Sequence, residues 1–187
     1  MNHAGLILSK DAALYAQLAQ AQSARFNSLV AHDIAQVHAY SDIERAAITW
    51  LLAEPNMAVD VLDILPNLRW LQSTWAGVEQ LLAHSRRDYV LTNIRGVFAP
   101  LISEYVLAHI LAHERQLRAH DAAQKKRVWF NNAMQVGTLR GKTLLILGVG
   151  SIGAGLAQTM RTLGVRILGV VQTRRDTPEC DEIGTMA

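Results

Sequence analysis

Gly148, Gly150 and Gly153 stand at the spacing G-x-G-x-x-G within the run LILGVGSIG, residues 145–153. Each glycine has a separate use: the first permits a tight turn, the second lets the backbone approach a pyrophosphate, and the third lets a helix pack closely on the preceding strand. With Val149, Ser151 and Ile152 between them, they would offer the free N–H groups and the positive dipole end of a helix to a dianion. The same spacing could serve only close packing in an unrelated α/β turn. Context favours the phosphate grip: the apolar run TLLIL precedes the motif, and Ile152, Leu156, Met160 and Leu163 follow at helical spacing. Gly164 then ends the helix and VRILGVV supplies the next strand. A dinucleotide is the expected ligand.

The choice of dinucleotide turns on the end of that second strand, where an NAD site offers an acid to the ribose hydroxyls about 20 residues on. Here stand Val171, Gln172 and Thr173, then Arg174 and Arg175. The missing acid and the two guanidiniums favour NADP, because arginine can grip a 2′-phosphate through paired charge-assisted hydrogen bonds. A solvated basic turn is the alternative for either arginine singly. Asp176 follows, so NAD remains possible.

Around these residues short apolar runs alternate with helical patterns: AGLILS before KDAALYAQLAQAQ, AAITWLL before PNMAVDVLDIL, LRWLQS before GVEQLLAHS. Such alternation predicts βαβ units on a parallel sheet. Pro55 and Pro66 mark the start of a helix or strand. Residues 24–40 read as one strand with a polar turn, and YVLTNI as a further strand. One long helix is expected over residues 100–127, apolar in its first half and charged in its second; it leads to a loop with Trp129, Phe130 and two asparagines. The domain boundary is placed near Ala99, giving domains 1–98 and 99–187. The second domain shows two strands and the helix between them. A strand as apolar as TLLILGV expects neighbours on both edges and helices on both faces, so this domain reads as incomplete.

Composition narrows the class. Of 187 residues 50% are apolar and the net charge is +2, which fits a globular chain and gives nucleic acid no broad basic surface. The single Cys180 fits a reducing, cytoplasmic setting. AGLILS is too short for a signal core, and no run of about 18 apolar residues suggests a membrane span. His109 and His113 lie four apart, a spacing that could suit a metal, but without a third ligand they read as a helix face.

The segments LPNLRWLQSTWAGVEQLL and TNIRGVFAPLISEYVLAHILA, residues 124–129 and the glycine-motif segment resemble the D-isomer-specific 2-hydroxyacid dehydrogenases, and among them the glyoxylate and hydroxypyruvate reductases. The resemblance implies an α/β fold: a flavodoxin-like parallel-sheet domain, then a Rossmann dinucleotide-binding domain, with a small 2-oxo acid bound in the cleft between them. It also implies a homodimer built through the cofactor domain. In STWAGVE it implies that the backbone N–H groups of Ala76, Gly77 and Val78 hold the substrate carboxylate. Trp75 could line that pocket or be an edge aromatic, and Arg95 could face the cleft or be solvated. Glu104 matches the family's glutamate early in the long helix, where the helix dipole favours an acid, and reads as structural.

Reducing a 2-oxo acid needs a proton donor for the forming alkoxide and a cation to orient the acid. The resemblance assigns these to a histidine paired with a glutamate and to an arginine, all in the part of the cofactor domain beyond residue 187. No catalytic residue is therefore assigned here, and the chain alone is expected to be inactive. A non-catalytic dimerising or nucleotide-binding fragment is the alternative reading.

Overall fold

The computed structural model describes residues 4–23, 28–129 and 136–186. They form two compact units, Met1–Ile94 and Arg95–Ala187.

The first unit is a five-stranded sheet of β1 (Ala4–Leu8), β2 (Ser28–Ala31), β3 (Ile48–Ala53), β4 (Trp70–Ser73) and β5 (Val90–Thr92). All pairings are parallel, and the order β2-β1-β3-β4-β5 is that of flavodoxin-like folds. Its helices are α1 (Ala12–Gln22), α2 (Ile34–Ala39), α3 (Asp42–Ala47), α4 (Pro55–Ala58) and α5 (Glu79–Ala83). Strand alternation sends Leu6, Leu8, Leu51, Ala53 and Leu71 into one core with Leu62, Leu65 and Leu81. On the other face the register aligns Gly5, Trp50, Trp70 and Val90. Trp50 lies directly over Gly5, where any Cβ would collide with its ring.

Residues 24–40 depart from the single strand expected. After β2 the chain turns into α2, because the Asp33 carboxylate accepts from Gln36 N at 2.9 Å and caps a new helix; residues 24–27 lie outside the described set. A capping box of Ser41 and Glu44 starts α3 at once. Pro55 does open α4, whereas Pro66 lies in a turn ahead of β4.

The second unit contains α6 (Ala99–Glu114), α7 (Leu117–Lys125), β6 (Thr143–Leu147), α8 (Ser151–Thr162), β7 (Arg166–Val171) and β8 (Glu182–Thr185). The long helix expected over 100–127 is thus two helices. Gln116 adopts left-handed φ 51°, which no α-helix continues through, and the break falls where the apolar half gives way to the charged half. Of the expected loop, Trp129 is exposed, while Phe130 and both asparagines lie outside the described residues.

The sheet has three parallel strands in the order β6-β7-β8, one more than the two expected. β8, sequence EIGT, has one apolar residue and too little alternation to be read as a strand; pairing with β7 makes it one. This order is one half of the Rossmann arrangement 3-2-1-4-5-6. The core lies between the sheet, α8 and the inner face of α6, and includes Ile146, Val149, Leu156, Met160 and Ile167.

Candidate functional site

β6 delivers the chain into the glycine turn, and Gly148 N donates to Val170 O at 2.8 Å, fixing the turn against β7. Gly148 has φ 91°, a conformation that favours glycine. Gly153 is required for a different reason: a Cβ there would lie 2.4 Å from the Gly148 carbonyl oxygen. Gly150 is the N-cap of α8, and Ala154 N donates to its carbonyl at 2.8 Å in the first intrahelical bond. The N–H groups of Ser151, Ile152 and Gly153 therefore form the open first turn.

A Cβ on Gly150 would meet nothing within 4 Å. That open face lies at the N-terminus of a 12-residue helix, where free N–H groups and the helix dipole favour an anion. Val149 anchors the turn from below, its side chain buried in the core.

At the end of β7, Gln172, Thr173, Arg174, Arg175 and Asp176 are all exposed. Arg175 Nη2 reaches back to donate to Val149 O at 2.5 Å. Strand end and glycine turn are therefore joined through Arg175, while Arg174 beside it in sequence is exposed. Cys180 is near Gly169 on the inner side of this unit. Burial first, then the charges of Glu179 and Asp181, push its thiol above the usual range, which makes it a poor nucleophile.

The first unit holds the other predicted group in the turn between β4 and α5. Ala76 and Gly77 are exposed and Val78 is half-buried. Ser73 Oγ accepts from Trp75 N at 3.0 Å and donates to Trp75 O at 2.9 Å, while Asn93 Nδ2 donates to Ala76 O at 2.6 Å. Ile94 N completes the clamp on Trp75 O at 3.4 Å. Trp75 itself is 49% exposed, so it is no core aromatic. The Glu79 carboxylate lies against Gly77, 2.9 Å from where a Cβ would stand, and its charge opposes an anion unless it swings away. The Thr74 hydroxyl is buried without a hydrogen-bond partner.

Arg95 is exposed and belongs to the second unit. Glu104 is exposed on α6. His109 stacks edge-on with Tyr105, ring centroids 4.4 Å apart. Among the described residues no group of three His, Cys, Asp or Glu side chains could hold a metal, and no helix is long and apolar enough to cross a membrane.

Sequence reasoning missed Asn93 and the Arg175 link. Asn93 follows a strand with no marking beyond its polarity. The Arg175 bond spans 26 residues and leaves no periodic trace.

A family model for the NAD-binding domain of D-isomer-specific 2-hydroxyacid dehydrogenases matches residues 107–187. Residues 107–187 thus match this family's NAD-binding domain, and the chain is similar to solved members of the family. A solved family member from Aeromonas salmonicida is 38% identical, with a TM-score of 0.87 over 100% of this chain and 59% of its own. A second structure, the NADPH-dependent glyoxylate/hydroxypyruvate reductase of Sinorhizobium meliloti in complex with NADP and sulfate, is similar in fold, with TM-score 0.72 and 22% identity over 98% of this chain and 56% of that one. Among curated relatives, a glyoxylate reductase of Korarchaeum cryptofilum is 27% identical over 136 residues, 70% of this chain and 41% of the relative. The chain spans about two fifths of the length of the curated relatives it matches.

Proposed function

We propose that this chain carries the cofactor grip and the carboxylate-binding turn of an NADP(H)-linked reductase of a small 2-oxo acid, of the glyoxylate or hydroxypyruvate kind. The observation that carries the reading is the open glycine turn at Gly150 joined through Arg175 to an arginine-bearing strand end. When bound, the nicotinamide supplies the hydride.

Within this reading the N–H groups of Ser151, Ile152 and Gly153 hold the pyrophosphate, with Gly148, Val149 and Gly150 shaping the turn. The strand end that carries Thr173, Arg174 and Arg175 takes the 2′-phosphate, so NADP is preferred and NAD is the weaker alternative. Residues 99–187 form the cofactor side and residues 1–98 the substrate side. The N–H groups of Ala76, Gly77 and Val78 take the substrate carboxylate, beside Trp75, once Glu79 has swung clear.

No residue here is assigned as proton donor, and the purified chain is expected to bind cofactor without turnover. The exposed Leu101 and Tyr105 on α6 and Trp129 after α7 support a homodimer, to be checked by light scattering. The lone cysteine supports a cytoplasmic setting.

Calorimetry with NADP+ and NAD+ tests the grip. NADP+ should bind more tightly, and replacing Arg174 and Arg175 together by alanine should weaken it by about 10- to 100-fold while sparing NAD+ more. Equal weakening would overturn the NADP choice, and binding of neither nucleotide would overturn the grip. Steady glyoxylate-dependent NADPH oxidation by the purified chain would overturn the expected lack of turnover.

A further inference from the structure

Arg174 and Arg175 are neighbours in sequence but not in circumstance. Arg175 Nη2 donates to the Val149 carbonyl at 2.5 Å, whereas Arg174 is exposed and makes no hydrogen bond or ion pair among the described residues. The Val149 carbonyl and the Gly150 N–H belong to one planar trans peptide and point in opposite directions. Whatever holds the carbonyl therefore sets where the N–H points.

Little else restrains that peptide. It can turn over by opposed rotations about Val149 ψ and Gly150 φ, and glycine offers almost no steric resistance to the second. Val149 is only 3% exposed, and its side chain, packed in the core, can stay there while the carbonyl rotates. A charge-assisted hydrogen bond from a guanidinium is a strong restraint for such a joint.

We propose that Arg175 is a positioning residue, a latch that holds the Val149–Gly150 peptide in one orientation, and that of the two arginines it is Arg174 that reads the 2′-phosphate. The inference rests on the nucleotide grip proposed above. It divides the labour of the two arginines: loss of the latch harms the pyrophosphate seat, common to NAD and NADP, whereas loss of the reader harms NADP only.

The test uses the full 187-residue chain and the variants R174A, R175A and R175K. Amide hydrogen exchange at Gly148, whose N–H donates to Val170 O in the turn, is followed without ligand, with the amides of β6 and β7 as a control for folding of the second unit, and calorimetry gives affinities for NADP+ and NAD+. R175A should speed exchange in the turn by about fivefold, the worth of one hydrogen bond, and weaken both nucleotides by a similar factor. R175K should restore most of both, since an ammonium can still donate to the carbonyl. R174A should leave exchange unchanged and weaken NADP+ alone by about tenfold.

Unchanged exchange in R175A, or a loss confined to NADP+, would overturn the latch and make Arg175 a second phosphate reader. An unaltered NADP+ to NAD+ ratio in R174A, with the R175A result as expected, would instead overturn the 2′-phosphate assignment and leave the latch standing. If the wild-type chain bound neither nucleotide, the grip would fall and the exchange comparison would decide the latch.

Discussion

Strands β1 and β6 have nearly the same sequence, AGLIL and TLLIL, and opposite surroundings. β1 pairs on both edges, with β2 and β3, and Leu6, Ile7 and Leu8 are 0% exposed. β6 pairs among the described residues only with β7, and Leu145 and Leu147 remain 56% and 69% exposed. Apolarity makes a strand eager for cover; the neighbours decide whether it is covered. One sheet closes over its own core, and the other leaves an apolar edge that invites pairing.

The comparison is open to direct attack by making one deletion in both strands. Leu6→Ala should destabilise the first unit by about 2–5 kcal/mol, from lost transfer energy and the cavity left behind. Leu147→Ala should cost under about 0.5 kcal/mol. Urea unfolding followed by tryptophan fluorescence, with Trp50 and Trp70 reporting on the first sheet, and by circular dichroism measures both; equal costs would break the contrast.

Gly153→Ala probes the packed side of the second unit. Its Cβ would press on backbone, the Gly148 carbonyl oxygen, so α8 must shift, at about 1–3 kcal/mol. A thermal midpoint unchanged by this substitution would show the turn to be looser than drawn. Limited digestion with mass spectrometry compares the units whole: residues 4–94 should outlast residues 95–186, and early cutting inside the first unit would reverse the ranking.

The smallest effect belongs to the surface of the first unit. Glu44 accepts from both the N–H and the hydroxyl of Ser41, each at 2.7 Å, and these bonds hold its carboxyl below the usual range. A carboxyl with a lowered folded pKa stabilises above its unfolded value and loses that contribution as pH falls through the folded one. Ser41→Ala should lower the melting temperature by about 3 °C at neutral pH, with the gap closing in acid. A gap that persists in acid would place the effect elsewhere.

Much of the fold was legible because its determinants are local. Four of the five strands of the first sheet follow apolar runs a few residues long, and the turn at Gly148 to Gly153 follows a spacing set by one backbone reversal. The cofactor-side candidates Thr173, Arg174 and Arg175 were legible for the same reason, as residues that must end a strand. α2 was lost because its signal is one capping aspartate, Asp33, beside a strand of four residues.

Residue order alone thus determined most of the strands and helices, and that a tight glycine turn lies between β6 and α8, since hydrophobic periodicity and glycine sterics act over a handful of residues. Tertiary structure alone decided that EIGT is a strand, that Gln116 breaks a helix, and that Arg175 meets Val149. Each of these depends on partners brought close by the packing of distant segments, where the free energy of one hydrogen bond or one paired edge selects a conformation that local preference leaves open.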